Sequence, residues 1–248
     1  MREHFTALTK LLEKISQVYD QLKTENLWWR GQPEQGLTLR PRVYRNKCYA
    51  ITEFELISNF GRQAPLRYPA WPQDRSHQLL LMQHYGLPTR LLDWSLGVLT
   101  ALYFAVSEDK QDKPASLWAL NPGKLNQEMT GDRTVTVFTH NEPEIQKMVD
   151  LAFQRYTAKT VIGDRVLAMS GPELDLRMLM QWGVYTIHSN DTPINQLVNN
   201  VDYIAEIIIS EKDRDQLRKA LEIVGFSKTR LFPDLQSLAD DIKKILKY

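Results

Sequence analysis

Apolar residues recur three and four positions apart over 4–23, at Phe5, Leu8, Leu11, Leu12, Ile15, Val18, Tyr19 and Leu22, which predicts an amphipathic helix. The pattern then changes. Asn26 and the apolar Leu27-Trp28-Trp29 predict a turn into a short strand that delivers Arg30-Gly31-Gln32. A loop bearing Pro33 and Gly36 follows, then the basic Leu39-Arg40-Pro41-Arg42. Helical spacing returns over 51–63, with Phe54, Ile57 and Phe60 on one face, and Pro65, Pro69 and Pro72 break regular structure after it. A further helix is expected over 75–84, ended by Gly86-Leu87-Pro88, then a short strand or extended turn over 89–92. Residues 96–106 are almost wholly apolar and read as a buried helix.

The second half reads in the same way. A strand over 116–120 stops at Asn121-Pro122-Gly123, and a helix is expected over 142–152. Gly171-Pro172 opens a short helix that runs to Gln181. Residues 183–188 alternate as a strand, with Val184, Thr186 and His188 on one face and Tyr185 and Ile187 on the other. β-branched Ile204, Ile207, Ile208 and Ile209 mark a strand over 203–209. A helix over 211–224 is capped by Gly225, and Phe232-Pro233-Asp234 starts a last helix over 234–247. There is no repeat, no low-complexity segment and no flexible linker. Helices and strands alternate irregularly, so the expectation is one α+β domain over 1–248, with a small mixed or antiparallel sheet flanked by helices. Residues 1–24 form its N-terminal helix, 25–235 its core and 236–248 its C-terminal helix.

Composition narrows the partners. A net charge of +1 gives no global field toward nucleic acid or membrane. A local basic face is still possible, because Arg30, Arg40, Arg42, Arg45, Lys47, Arg62 and Arg67 fall in one stretch. Cys48 is the only cysteine, which excludes an internal disulfide and a cysteine-rich zinc site. The charged start lacks the apolar core of a secretory signal, and no run approaches the roughly 18 apolar residues of a membrane helix. A cytoplasmic protein of bacterial type, with no membrane partner, is expected.

Three segments carry candidate chemistry. In Trp28-Trp29-Arg30-Gly31-Gln32 an arginine at the end of an apolar strand needs a specific partner, since burying an unpaired guanidinium is costly. Two readings stay open, an anion grip and a structural salt bridge to Asp93. Gly31 would let a ligand or a backbone approach closely. In Gln83-His84-Tyr85-Gly86-Leu87-Pro88-Thr89-Arg90-Leu91-Leu92-Asp93-Trp94-Ser95, polar groups crowd one turn between apolar elements. His84 reads as a base or hydrogen-bond donor, or as a satisfied core residue. Ser95 or Asp93 reads as a cap of the next helix. In the third segment, from Arg177 to His188, Gln181 stands at a helix–strand junction, facing a cleft or bridging backbone. Walker, dinucleotide-fingerprint, zincin and nucleophile-elbow patterns are missing, and His77, His84, His140 and His188 lack metal-like spacing, so no metal is expected.

These segments resemble a known family. Trp29-Arg30-Gly31-Gln32 resembles the aromatic-Arg-Gly-Gln signature of the FRG (Phe-Arg-Gly) domain, with Trp29 in place of the phenylalanine. The segment from Gln83 to Ser95, followed by Ala101-Leu102-Tyr103-Phe104-Ala105, is similar to its longest motif. Gln181-Trp182-Gly183-Val184-Tyr185-Thr186-Ile187-His188 resembles its third and Leu231-Phe232-Pro233-Asp234-Leu235 its ending. The family occurs in bacteria and phages, sometimes near defence or toxin-like genes, and its signature is similar to that of ADP-ribosyltransferase-like folds. The resemblance implies that Arg30, with Gly31, Gln32, Tyr85, Thr89, Arg90, Asp93 and Ser95, shapes a site for NAD as co-substrate. It implies that Gln181 and His84 are the catalytic candidates. Transferases commonly carry glutamate at the third-motif position, where Gln181 is neutral, and Glu173 and Asp175 are the nearby acids.

Three functions follow as expectations. The first is an NAD-dependent ADP-ribosyltransferase or NAD glycohydrolase of toxin or antiphage type, acting on a protein or nucleic-acid acceptor. The second is a non-catalytic module that binds a nucleotide, a nucleic acid or a protein. The third makes Arg30, Arg90 and Asp93 an internal polar lattice that pairs within itself, with function elsewhere.

Overall fold

The computed structural model describes residues 2–45, 49–107, 113–154 and 163–246. Lys47, Cys48 and the expected end of the last helix at 247 lie outside them. In chain order the elements are α1 (Arg2–Leu22), β1 (Trp28–Gln32), α2 (Tyr49–Gln63), α3 (Arg75–His84), β2 (Leu91–Ser95), α4 (Val98–Val106), β3 (Ala115–Leu120), α5 (Pro122–Thr130), β4 (Phe138–Thr139), α6 (Pro143–Ala152), β5 (Val166–Ser170), α7 (Leu176–Gln181), β6 (Gly183–His188), β7 (Ile204–Ile209), α8 (Glu211–Ile223), α9 (Lys228–Leu231) and α10 (Leu235–Leu246).

The strands form one seven-stranded sheet in the order β4-β5-β6-β2-β1-β3-β7. β4 and β5 are parallel and every other neighbouring pair is antiparallel, so the sheet is mixed and the protein is of mixed α/β type. The register sorts the side chains into faces. Trp29 opposes Ser95, and Asp93 opposes Tyr185, which places Trp29, Ser95, Asp93, Leu91, Tyr185 and Ile187 on one face. On that face Trp29, Leu117, Ala119 and Ile207 pack under α1, α4 and α8. Further along it, Leu91, Ile187, Leu167 and Met169 pack under α3 and α6. The opposite face buries Trp28, Leu92, Trp94, Trp118 and Val184 against α5 and the segment around Ile194 and Tyr203. Two separate cores thus share one face, and the strip between them lies over β1 and β2.

The sheet is larger than the small one expected, because β4 and β5 are added to it, and α5 is a further helix. β3 stops at Asn121-Pro122-Gly123 as expected, and the same residues also start α5, which was not foreseen. Asn121 is its N-cap, accepting from Lys124 N at 3.0 Å, and Pro122 takes the first helical position, where a missing N–H is harmless. Of the short strand or extended turn expected over 89–92, the strand begins at Leu91, and before it the Thr89 hydroxyl folds forward to accept from Leu91 N at 3.1 Å. Among the described residues no helix is long and apolar enough to cross a membrane.

Candidate functional site

β1 and β2 share a single registered pair, Trp29 with Ser95, and separate beyond it, whereas β1 follows β3 from Trp28 to Gln32. Gly31 is part of the cause. A Cβ there would meet Ala101 O at 1.9 Å and Ala105 N at 2.6 Å, so β1 lies directly on the backbone of α4. Of the two partners foreseen for Gly31, ligand and backbone, the neighbour is backbone. Arg30 alternates to the other side of the strand, and its guanidinium reaches into the opening. Its Nη1 donates to the Asp93 carbonyl oxygen at 2.6 Å, while Nε is buried with no hydrogen-bond partner. The foreseen contact to Asp93 therefore exists, but with its main chain. Burial lowers the pKa of Arg30, the Asp93 carboxylate opposes that shift, and Arg45 adds to it.

Two lobes of one cleft meet at this opening. One, of about 490 Å³, is lined by Arg30, Arg42, Arg45, Arg177, Gln83 and Asp93 among others. The second, of about 340 Å³, lies toward α4 and α7 and includes Arg30, Asp93, Ser95, Arg177, Gln181 and Tyr185. Among the described residues none of these arginines is bonded to a carboxylate. Arg42 donates to Gly86 O at 3.4 Å, Arg45 to Arg40 O at 3.4 Å, and Arg177 lies over the Phe232 ring at 4.7 Å. Burial and the like charges of Arg42 and Arg40 lower the pKa of Arg45. Cations held this close without a bonded acid set up a positive potential in the cleft.

Asp93 is the acid that both lobes share. Its Oδ2 accepts from Gln83 Nε2 at 2.8 Å, and Gln83 Oε1 accepts from the Thr89 hydroxyl at 2.7 Å. Thr89 thus orients Gln83, and Gln83 orients Asp93. His84 lies next to them, with Nε2 at 2.5 Å from Asp175 Oδ2. Burial lowers the His84 pKa more than Asp175 raises it, so at neutral pH the ring is uncharged and meets the carboxylate through Nε2–H. The other Asp175 oxygen caps α7 by accepting from Met178 N at 2.8 Å. Tyr185 stands opposite Asp93 on β6, and burial, with Asp93 and Asp175 nearby, pushes its phenol upward, so it stays a neutral donor.

Gln181 lines the second lobe, but its Nε2 donates to Leu231 O at 3.1 Å, and its carbonyl accepts from the Ser95 hydroxyl at 2.8 Å. Ser95 also accepts from Gly97 N at 3.0 Å, while the N-cap of α4 is Gly97 itself. Asp93 lies within β2 and caps no helix. The cleft therefore brings together Arg30, Gly31, His84, Tyr85, Asp93, Ser95 and Gln181. Three expected residues do not line it. Gln32 is buried and accepts from Trp118 Nε1 at 2.8 Å. Thr89 acts through Gln83. Arg90 is buried in a two-pronged ion pair with Glu53, Nε to Oε1 at 3.0 Å and Nη2 to Oε2 at 2.5 Å, so the expected lattice of Arg30, Arg90 and Asp93 does not close on itself. Residues not foreseen in the site are Arg42, Arg45, Gln83, Arg177 and Tyr185; each lay within a segment singled out in the sequence, but no local pattern says which side chain turns inward. Among the described residues no group of three or more His, Cys, Asp or Glu could hold a metal ion.

Residues 25–114 match the model of the FRG domain. The FRG segment runs from just before β1 to just before β3 and carries Arg30, Arg42, Arg45, His84 and Asp93. Arg177, Gln181 and Tyr185, which complete the cleft, come from outside the matched FRG segment. No curated protein and no solved structure matches the chain.

Proposed function

We propose that the cleft binds the phosphates of a nucleotide, that the co-substrate is NAD, and that the reaction is ADP-ribosyl transfer or NAD hydrolysis on an ADP-ribosyltransferase-like fold. The observation that carries this reading is the convergence of Arg30, Arg42, Arg45 and Arg177 on one cleft with no bonded carboxylate among the described residues. Guanidinium forks match phosphate oxygens in geometry and charge.

In this reading the nicotinamide ribose enters the lobe beside Tyr185 and Gln181. A water oxygen, or a nucleophilic atom of an acceptor, bonds the anomeric carbon. The bond from that carbon to the nicotinamide nitrogen breaks, its electron pair leaves with neutral nicotinamide, and the nucleophile's proton passes to a carboxylate. Asp93 fits that role, since Gln83 fixes one of its oxygens and its charge offsets the cation that develops at the sugar. Gln181 keeps its Oε1 to accept from a ribose hydroxyl. His84, braced by Asp175, sets the edge of the pocket.

One observation favours a second reading, a non-catalytic nucleotide, nucleic-acid or protein binder: Gln181 is neutral and its amide nitrogen is committed to Leu231. Incubation with labelled NAD, with and without lysate, separates the two. The first reading expects nicotinamide release or label transfer that falls at least tenfold in Arg42→Ala/Arg45→Ala. Binding of NAD without turnover selects the second. Neither binding nor turnover overturns both as nucleotide readings.

A further inference from the structure

A separate hollow of about 750 Å³ opens beside the arginine cleft, walled by α2 and the segment that follows it. Its chemistry differs from that of the cleft. Phe60 and Trp71, with ring centroids 6.1 Å apart, line it together with Tyr68 and Tyr85, and the amides of Asn59 and Gln63 are among its polar groups. Tyr85 and Leu87 belong to both the hollow and the cleft, so the two are continuous. Tyr85 is 59% exposed, yet its ring meets His84 edge to face at 5.0 Å, which fixes an aromatic surface on the ridge between them.

The lobes of the cleft already have the size of a small-molecule site, roughly 300–1,000 Å³. A hollow of this volume is surplus to one co-substrate. Its charge points to a partner of like composition. Arg67 lines it, with Nη1 donating to Gln63 O at 3.1 Å, Arg42 and Arg45 stand across the ridge, and among its described lining residues Glu55 is the one acid. Aromatic walls beside unneutralised arginines suit flat rings joined by phosphates.

We propose that this hollow takes unpaired bases of a single-stranded nucleic acid whose backbone phosphates pass over Arg42 and Arg45 toward the cleft. In the transferase reading above, that strand is the acceptor; the inference rests on that reading for this term alone, because the binding itself needs no NAD. A duplex keeps its bases paired and has nothing to offer the hollow.

The test is fluorescence anisotropy of short labelled oligo-dA and oligo-U without NAD, beside a duplex. Single strands are expected to bind more tightly than the duplex. Tyr68→Leu and Trp71→Leu should each weaken them about tenfold, the size of one stacked base. Arg42→Ala/Arg45→Ala should flatten the salt dependence. Trp71 also packs on α2, so ultraviolet cross-linking to the unaltered protein serves as a second measurement, with adducts expected at Tyr68, Trp71 or Tyr85. Equal affinity for duplex, or adducts mapping elsewhere, would each overturn the proposal. Strand binding with no NAD turnover would leave it standing and remove only the transferase reading.

Discussion

Arg30 donates to the backbone carbonyl of Asp93 at 2.6 Å, so a side chain spans the gap between β1 and β2 just beyond their single registered pair. The same guanidinium has an Nε with no partner and lines both lobes of the cleft. It braces the opening and charges it. These two roles separate in Arg30→Lys, which keeps the charge but loses the planar fork. We expect Arg30→Lys to remain folded, with a loss of about 2 kcal/mol for one hydrogen bond from a charged donor, and to bind inorganic pyrophosphate about tenfold more weakly. Calorimetric titration beside a denaturant melt measures both. Unchanged pyrophosphate affinity would make Arg30 a strut only.

How much of this was legible in the sequence depends on the range of the interaction. The strand at Trp28–Gln32, its alternation and the polar crowding from Gln83 to Ser95 are local, and they were readable. The partners were not. Glu53 precedes Arg90 by a helix and a loop, and no pattern links them. Gln32 lies two residues from Arg30 on the same side of β1, yet it is buried and accepts from the indole of Trp118, the residue opposite Arg30 on β3; alternation sets the side, and the neighbouring strand sets what waits there. The basic stretch from Arg30 to Arg67 was visible as composition. That Arg42 and Arg45 enter the cleft while Arg62 bonds Asn59 depends on how the turn after β1 lies against Gly86 and Arg40.

Gly31 faces α4 with no room for a Cβ, and the atoms in the way belong to a helix backbone that cannot step aside singly. Gly31→Ala should therefore push β1 off α4 and cost about 3 kcal/mol, at the upper end of overpacking effects. Its signature is loss of stability ahead of any specific loss of ligand. A variant as stable as the parent, with binding lost, would show instead that a ligand needs this glycine.

The Arg90–Glu53 pair is buried on both sides and also reaches Met148 O at 3.3 Å. Removing one partner leaves an uncompensated buried charge. Glu53→Gln should cost about 3–5 kcal/mol, whereas replacing both in Arg90→Met/Glu53→Leu should recover most of that. A double-mutant cycle by urea denaturation gives the coupling. Independent, additive losses would mean that the pair is not the unit that the geometry describes.

His188 is buried beside Arg90 and Arg30, and burial first, then those charges, lower its pKa to about 3. Its Nε2 meets the Thr186 hydroxyl at 3.0 Å, and that hydroxyl also accepts from Trp94 Nε1 at 3.1 Å. In the unfolded chain the ring titrates near its ordinary value of about 6.5. Between those two values the unfolded state holds a proton that the native state refuses. Stability is therefore full above about pH 6.5 and falls as the pH drops toward about 3, by roughly 1.4 kcal/mol per pH unit. His84 and His140, also lowered by burial, act in the same direction. His188→Asn offers a polar group of similar reach that does not titrate. Its stability, whatever its level at pH 7, should fall less steeply between pH 6 and 4, by about one proton's worth of slope, in urea melts across that range. Parallel curves for parent and variant would mean that His188 takes up its proton in the native protein, and that the polar lattice around Thr186 opens readily to admit it.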